Sequence, residues 1–258
     1  MCRLPLTFAC EGSTLGATLD TAPGSTGLLI VSGGNEIRAG AFSGQAALAG
    51  RVARRGFPVF RFDRRGIGDS EGTNRGFRKS RRDIAAAIDA FRAIAPQMRR
   101  VVAFGNCDAA SALMLAGGAG CDALVLSNPW TIEEGTDDTP PPTAIRARYA
   151  EKLKNPKEIA RLVTGGVNIG KLARGLAKAA RPKAAPSSLA QEMAAGLAMF
   201  EGPLRILLAD ADRTAQVFAA GWDAADDRIA RCQGATHAYA EPHARDWLYE
   251  QLLTSLRG

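Results

Sequence analysis

The sequence predicts an α/β protein with one mostly parallel, eight-stranded sheet flanked by helices. Three observations support this prediction. Short apolar runs alternate with stretches of helical spacing, most runs end in glycine or a polar loop, and the 258 residues suffice for one domain with a buried core. No internal repeat interrupts this alternation.

The strands are predicted from short apolar runs such as GLLIVS at 27–32, which ends in two glycines. The first two strands form an antiparallel hairpin that leads into the sheet. The predicted strands are 3–10, 14–20, 27–32, 57–62, 101–104, 123–127, 204–209 and 228–232.

The helices are predicted from apolar residues that recur at helical intervals, as Phe42, Leu48 and Val52 do. Apart from the insertion described next, the predicted helices cover 41–55, about 77–95, 107–117, 213–220 and 243–256.

The segment 130–202 lacks strand signals and contains TPPP, so we expect a helical lid inserted into a core of 1–129 and 203–258. Residues 146–183 hold eleven Lys or Arg against two Glu, which accounts for the net charge of +7. A basic lid suggests an anionic substrate or carrier, such as an acyl-carrier thioester. The alternative is that these side chains only solvate helical faces.

Composition excludes several classes of protein. No apolar run is long enough for a transmembrane helix or a signal peptide, so we expect a cytoplasmic protein. Five scattered cysteines without a CxxC pair, and only two histidines, predict no metal site, and no cofactor is expected. The basic segment has one aromatic residue, Tyr149, so a nucleic-acid partner is not expected.

The turn at 105–109, Gly-Asn-Cys-Asp-Ala, follows a strand and precedes a helix rich in small residues. In a nucleophile elbow, G-x-Ser-x-G, the nucleophile occupies a strained turn and its neighbours two residues away must be small. Gly105 and Ala109 meet this requirement around Cys107, and the positive end of the helix would stabilise a thiolate. The sequence therefore predicts Cys107 as a nucleophile, the alternative being a buried structural cysteine.

The partners of a nucleophile in an α/β-hydrolase follow it in the order acid, then histidine. Asp212 comes after the strand 204–209, and His237 lies in the loop after the last predicted strand. His237 would take the thiol proton or pair with the thiolate, and Asp212 would orient the imidazole ring. The alternatives are His243, at an apparent helix start, and Asp210, at the strand end.

An oxyanion hole requires two backbone donors. The Asp108 amide is the first, and the second is expected from the glycine loop after strand 27–32, at Gly34 or Asn35. The segment 60–72 predicts a tight, hydrogen-bonded loop behind the site with a structural role.

These motifs together resemble one family, the hydrolase 1 proteins associated with the exosortase A system. They are α/β-hydrolases encoded beside bacterial exopolysaccharide and protein-sorting genes. The resemblance implies a cysteine where the fold usually has serine, with Asp212 and His237 as its partners, and implies no substrate. It covers nearly the whole chain and is carried by GGNEIRAG, FPVFRFDRRGIGDSEG, FGNCDAAS, NPW, GGVNIGKLARGL, ADRTAQVF and GATH.

Two functions follow from these features. The first is an acyl hydrolase or acyltransferase that acts through a covalent thioester on Cys107, with a small-molecule or carrier-bound ester, thioester, lactone or amide as its substrate. The second is a catalytically silent hydrolase fold that binds a partner of the exopolysaccharide or sorting machinery.

Overall fold

The computed structural model describes residues 2–132 and 187–258, and within them eight strands form one sheet. The strands are β1 (Arg3–Cys10), β2 (Ser13–Asp20), β3 (Thr26–Val31), β4 (Val59–Phe62), β5 (Arg100–Asn106), β6 (Ala123–Ser127), β7 (Leu204–Ala209) and β8 (Ile229–Cys232). Their order is β1-β2-β4-β3-β5-β6-β7-β8. β2 pairs antiparallel with β1 and β4, and all other pairs are parallel, which confirms the predicted sheet.

Helices cover both faces of this sheet. In the described ranges they are α1 (Gly44–Arg54), α2 (Arg81–Ile94), α3 (Asp108–Leu115), α4 (Ser188–Ala198), α5 (Arg213–Gly221) and α6 (Pro242–Arg257). Buried residues of α2, α3, α4 and α5 pack into one hydrophobic cluster, and those of α1 and α6 pack into a second.

Strand β3 shows why the central strands are continuously apolar. Leu29 and Val31 belong to the first cluster, and Leu28 and Ile30 belong to the second. Because successive side chains of a strand point to opposite faces, a strand between two helical layers must be apolar at every position.

Helix α1 begins at Gly44, so the predicted helix start at 41 is wrong. Residues Ala41–Ser43 form a short 3₁₀ turn in which Phe42 has a φ of 50°, and Ser43 follows with a φ of 59°. These left-handed conformations separate the turn from the helix. Phe42 is consequently exposed to solvent and does not mark a buried helix face.

Of the predicted lid, residues 130–202, the structure describes 130–132 and 187–202, and the second of these parts packs against the core. Helix α4 contributes Leu189, Met193 and Leu197 to the cluster that includes α3. Residues 133–186, which contain the TPPP stretch and the basic segment, lie outside the described residues. Among the helices that the structure describes, none is long and apolar enough to span a membrane.

Candidate active site

Cys107 lies in the turn between β5 and α3, with a φ of 61° and a ψ of −128°. Such a backbone conformation is strained for any residue with a Cβ atom and is typical of a nucleophile elbow. The Cys107 amide donates to the Ser127 carbonyl at 2.9 Å, and the Trp130 amide donates to the Cys107 carbonyl at 3.3 Å. The turn is therefore held in place by the last residue of β6 and by the segment that follows β6.

Gly105 is required by the close approach of α3 to the end of β5. A Cβ atom at this position would lie 2.7 Å from the carbonyl carbon of Ala109 and 2.8 Å from the Ala110 amide nitrogen. Ala109 is fully buried. The small residues on either side of Cys107 thus have the steric role that the sequence pattern predicts.

Asp212 and His237 meet at the same edge of the sheet. His237 Nδ1 lies 3.0 Å from Asp212 Oδ2, and the Asp212 side chain is almost completely buried. The same Asp212 oxygen accepts a hydrogen bond of 3.0 Å from the Ala215 amide, which caps the N-terminus of α5. This cap fixes the carboxylate that orients the imidazole ring.

The charge state of His237 depends on two acceptors. Its pKa is raised from the ordinary 6.5 to about 10, first by the hydrogen bond to Asp212 and second by a hydrogen bond to the Cys107 side chain. Partial burial opposes this change. The structure therefore brings Cys107, His237 and Asp212 together, with His237 bonded to Asp212 and Cys107 beside the same ring, and these neighbours favour the imidazolium form.

The alternative acid and base have other partners. His243 Nε2 lies 3.0 Å from the Gln233 carbonyl oxygen on an exposed part of α6. Asp210 lies 3.6 Å from the Arg231 guanidinium at the partly exposed end of β7.

The glycine loop after β3 packs directly on the turn that holds Cys107. A Cβ atom on Gly33 would lie 2.8 Å from the Asn106 carbonyl oxygen and 3.7 Å from Cys107 Cβ. The Gly34 amide donates a 2.6 Å hydrogen bond to Asp108 Oδ1. The amides of Asn35 and Asp108 have no hydrogen-bond acceptor within residues 2–132 and 187–258. Of the two amides that the sequence leaves open, only that of Asn35 has no partner in this part of the chain.

Asn128 is a site residue that sequence reasoning missed. It is fully buried, has a φ of 44°, and its Oδ1 accepts a 2.9 Å hydrogen bond from the Ala209 amide. Its Nδ2 donates to Asn106 Oδ1 at 3.0 Å and to the His237 carbonyl oxygen at 3.3 Å. Asn128 therefore ties the His237 loop to the ends of three strands. Asn128 is the first residue of the NPW motif, which is the sequence signal that could have pointed to it. The motif alone assigns Asn128 no role.

The loop 60–72 is hydrogen-bonded as the sequence predicts. The buried Asp63 carboxylate accepts from the Arg38 amide at 2.5 Å and from the Asp69 amide at 3.1 Å. Arg64, which the sequence did not single out, reaches the Gly34 carbonyl oxygen at 2.5 Å. The loop thus contacts the candidate oxyanion loop through Arg64.

Solved structures share this fold at low sequence identity. The esterase Pf2001 of Pyrococcus furiosus is 13% identical, with a TM-score of 0.62 over 98% of this chain and 93% of its own. An α/β serine hydrolase without a lid from Xanthomonas campestris is 13% identical, with a TM-score of 0.59 over 99% and 94%. An α/β serine hydrolase homologue from Coxiella burnetii is 15% identical, with a TM-score of 0.60 over 99% and 98%.

Comparison with curated proteins gives no match. The model of the alpha/beta hydrolase family, by contrast, matches residues 28–251, which include the turn at Cys107 and the loops of Asp212 and His237. On the strength of that match and of the shared fold, the chain belongs to the alpha/beta hydrolase family and is a hydrolase.

Proposed function

We propose that the protein is an acyl hydrolase or acyltransferase in which Cys107 is the nucleophile, His237 the acid and base, and Asp212 the residue that orients His237. The observation that supports this proposal is the arrangement of the three residues: Asp212 lies 3.0 Å from His237 Nδ1, and Cys107, at a strained strand-to-helix turn, interacts with the same ring. Nucleophile, base and orienting group in that order are the arrangement that activates a thiol.

The first half of the reaction transfers the acyl group to sulfur. The Cys107 thiolate attacks the carbonyl carbon, and the resulting oxyanion accepts hydrogen bonds from the amides of Asp108 and Asn35. As the tetrahedral intermediate collapses, the bond to the leaving group breaks and His237 gives that group its proton. A thioester on Cys107 and a neutral imidazole result.

The second half returns the enzyme to its starting state. His237 accepts a proton from water, or from an acceptor alcohol, thiol or amine, while the oxygen, sulfur or nitrogen attacks the thioester carbonyl. The carbon–sulfur bond breaks, which releases the acid or the transferred acyl product and restores the thiolate–imidazolium pair.

The test of this proposal is a panel of chromogenic esters, thioesters and anilides. We expect Cys107→Ala to lower turnover of the best substrate at least about 10³-fold, because the covalent route is lost. Cys2→Ala, a change of an exposed thiol, serves as the matched control and should leave turnover unchanged. Iodoacetamide should alkylate Cys107 faster than Cys2, and His237→Ala should remove that selectivity. Equal labelling without any turnover would favour the silent, partner-binding alternative.

We further propose an anionic or carrier-bound substrate and a link to bacterial exopolysaccharide or exosortase systems. The basic segment 146–183 supports the first, and the series of motifs supports the second. A charged substrate should show a KM that rises with salt while its neutral analogue does not, because salt screens the attraction. Deletion of the gene should alter exopolysaccharide or protein sorting, and an unchanged strain would contradict the link.

We also propose a cytoplasmic location. All five cysteines are free in the structure, which is the usual state of thiols in a reducing compartment. Recovery of the protein from a periplasmic fraction would contradict this proposal.

A further inference from the structure

The backbone N–H and C=O of Gly34 are held by two charged side chains from different parts of the chain. Its amide donates to Asp108 Oδ1 at 2.6 Å, and its carbonyl oxygen accepts from the Arg64 guanidinium at 2.5 Å. Hydrogen bonds to charged groups are about twice as strong as those between neutral groups. Both polar atoms of Gly34 are therefore committed to fixed partners.

The two charged partners are themselves joined. Arg64 lies 3.4 Å from Asp108 Oδ2, with 5% of the Arg64 side chain and 14% of the Asp108 side chain exposed. Arg64 also donates to Ser80 Oγ at 3.2 Å. Little solvent reaches this pair, so the contacts are screened less than those of a surface ion pair.

Steric packing does not fix the conformation of Gly34. The residue has a φ of 54°, and a Cβ atom built on it would meet nothing within 4 Å. A glycine loop in open space is conformationally free unless hydrogen bonds restrain it. The bonds from Asp108 and Arg64 restrain the backbone of Gly34 itself, and a 2.9 Å hydrogen bond from the Glu36 amide to the Gly33 carbonyl oxygen closes the turn beside it.

We propose that the Asp108 carboxylate and Arg64 are positioning residues that hold the loop 33–35 over Cys107, so that the Asn35 amide serves as the second oxyanion donor. This inference rests on the proposed function. The Gly34 amide is already bonded, and the Asn35 side chain is tied on its other side by a 3.0 Å hydrogen bond from Asn74 to its Oδ1. A displacement of about 1 Å in such a loop can lower the rate about 10²-fold.

The opposite role for Asp108 predicts an opposite result. A carboxylate that merely occupied the Gly34 amide would compete with the oxyanion of the substrate. Its removal would then free a donor and raise turnover. The proposed positioning role predicts that removal lowers turnover.

The decisive comparison is between Asp108→Asn and Asp108→Ala. Both variants lose the same negative charge, but asparagine keeps an oxygen that can accept from the Gly34 amide. We expect Asp108→Ala to have a kcat about 10- to 100-fold below that of Asp108→Asn, with KM changed less than about threefold. Arg64→Ala should resemble Asp108→Ala, and the double variant should lose less than the product of the two single effects.

Alkylation of Cys107 by iodoacetamide is the internal control, because that reaction forms no oxyanion. The two Asp108 variants should alkylate at equal rates, whereas damage to the turn itself would slow one of them. Arg92→Ala removes an exposed ion pair with Asp122 and should leave kcat unchanged.

An Asp108→Ala enzyme as fast as Asp108→Asn, or faster than the wild type, overturns the positioning role. Absence of wild-type turnover would instead contradict the proposed function, and the positioning role with it.

Discussion

The protonation state of the His237 imidazole is set by the groups around the ring. Asp212 Oδ2 lies 3.0 Å from its Nδ1, and the Cys107 side chain contacts the ring from the elbow. Two acceptors on one ring favour the protonated form, which is why its pKa rises to about 10. A thiolate–imidazolium pair needs that proton to be present at neutral pH.

The raised pKa predicts how His237 contributes to stability at different pH values. A folded state that binds a proton more tightly than the unfolded state is stabilised fully below the unfolded pKa, 6.5, and loses that stabilisation as pH rises through about 10. We therefore expect the difference in Tm between wild type and His237→Gln to be largest below pH 6.5 and to shrink progressively toward pH 10. Thermal unfolding across this range measures it.

His243→Gln is the control for that series, since His243 is exposed and its Nε2 lies 3.0 Å from the Gln233 carbonyl oxygen, away from Cys107 and Asp212. Because 41% of the His237 side chain is exposed, solvent screening reduces the size of the effect but leaves its direction. A Tm difference for His237→Gln that grows with rising pH would contradict the proposed charge state.

Individual site residues differ in how far the sequence could predict them. Cys107 follows from the small residues around it, and the order of Asp212 and His237 follows from chain order. The roles of the Asp108 side chain and of Arg64 could not be predicted, because their shared partner, Gly34, lies 74 and 30 residues away from them along the chain. No local pattern encodes such a contact.

At the scale of elements, the segment after β6 connects the parts of the site. The Trp130 amide bonds to the Cys107 carbonyl, while Asn128 bonds to the end of β7 and to the His237 carbonyl. Because these bonds join elements that carry different site residues, the NPW motif has a structural role that its residue types alone do not predict.

Asn128→Ala tests this connection. The change leaves the Ala209 amide without its acceptor and puts alanine at a φ of 44°, which asparagine tolerates better. We expect a loss of about 1–3 kcal/mol in the free energy of unfolding, together with a lower kcat, because the His237 loop loses a support. Urea denaturation and ester turnover measure the two effects.

Gln97→Ala is a suitable control, since Gln97 is exposed and its side chain makes a long, 3.4 Å hydrogen bond to the Ala22 carbonyl oxygen, far from the site. A surface change of this kind alters stability by no more than about 0.5 kcal/mol. An Asn128→Ala protein as stable as Gln97→Ala would show that the segment after β6 is not a support of the site.

The helices and strands were predictable where burial dictates their pattern. Ile84, Ile88 and Phe91 recur at helical intervals, and all three are buried in α2. Phe42 fits the same periodicity by residue type but is exposed, because a break at Ala41–Ser43 precedes α1. Hydrophobic periodicity reports which residues are apolar and does not report where the backbone leaves the helix.

At the scale of the whole molecule, the strand order explains how distant residues meet. Cys107 follows β5, Asp212 follows β7 and His237 follows β8. These strands are parallel, so their carboxyl ends lie along one edge of the sheet, where ligands bind in open α/β folds. Chain order and a parallel sheet were enough to predict this convergence. The separations and hydrogen bonds within it required the structure.

The measurement that tests the central claim most directly is a search for the acyl-enzyme. The protein is mixed with p-nitrophenyl acetate, quenched in acid during turnover, digested and mapped by mass spectrometry. We predict one acetyl group on the peptide that contains Cys107, which forms at the rate of the initial release of p-nitrophenol and is absent in Cys107→Ala. Continued turnover with no acetyl group on Cys107, or with the acetyl group on another side chain, would contradict a cysteine nucleophile.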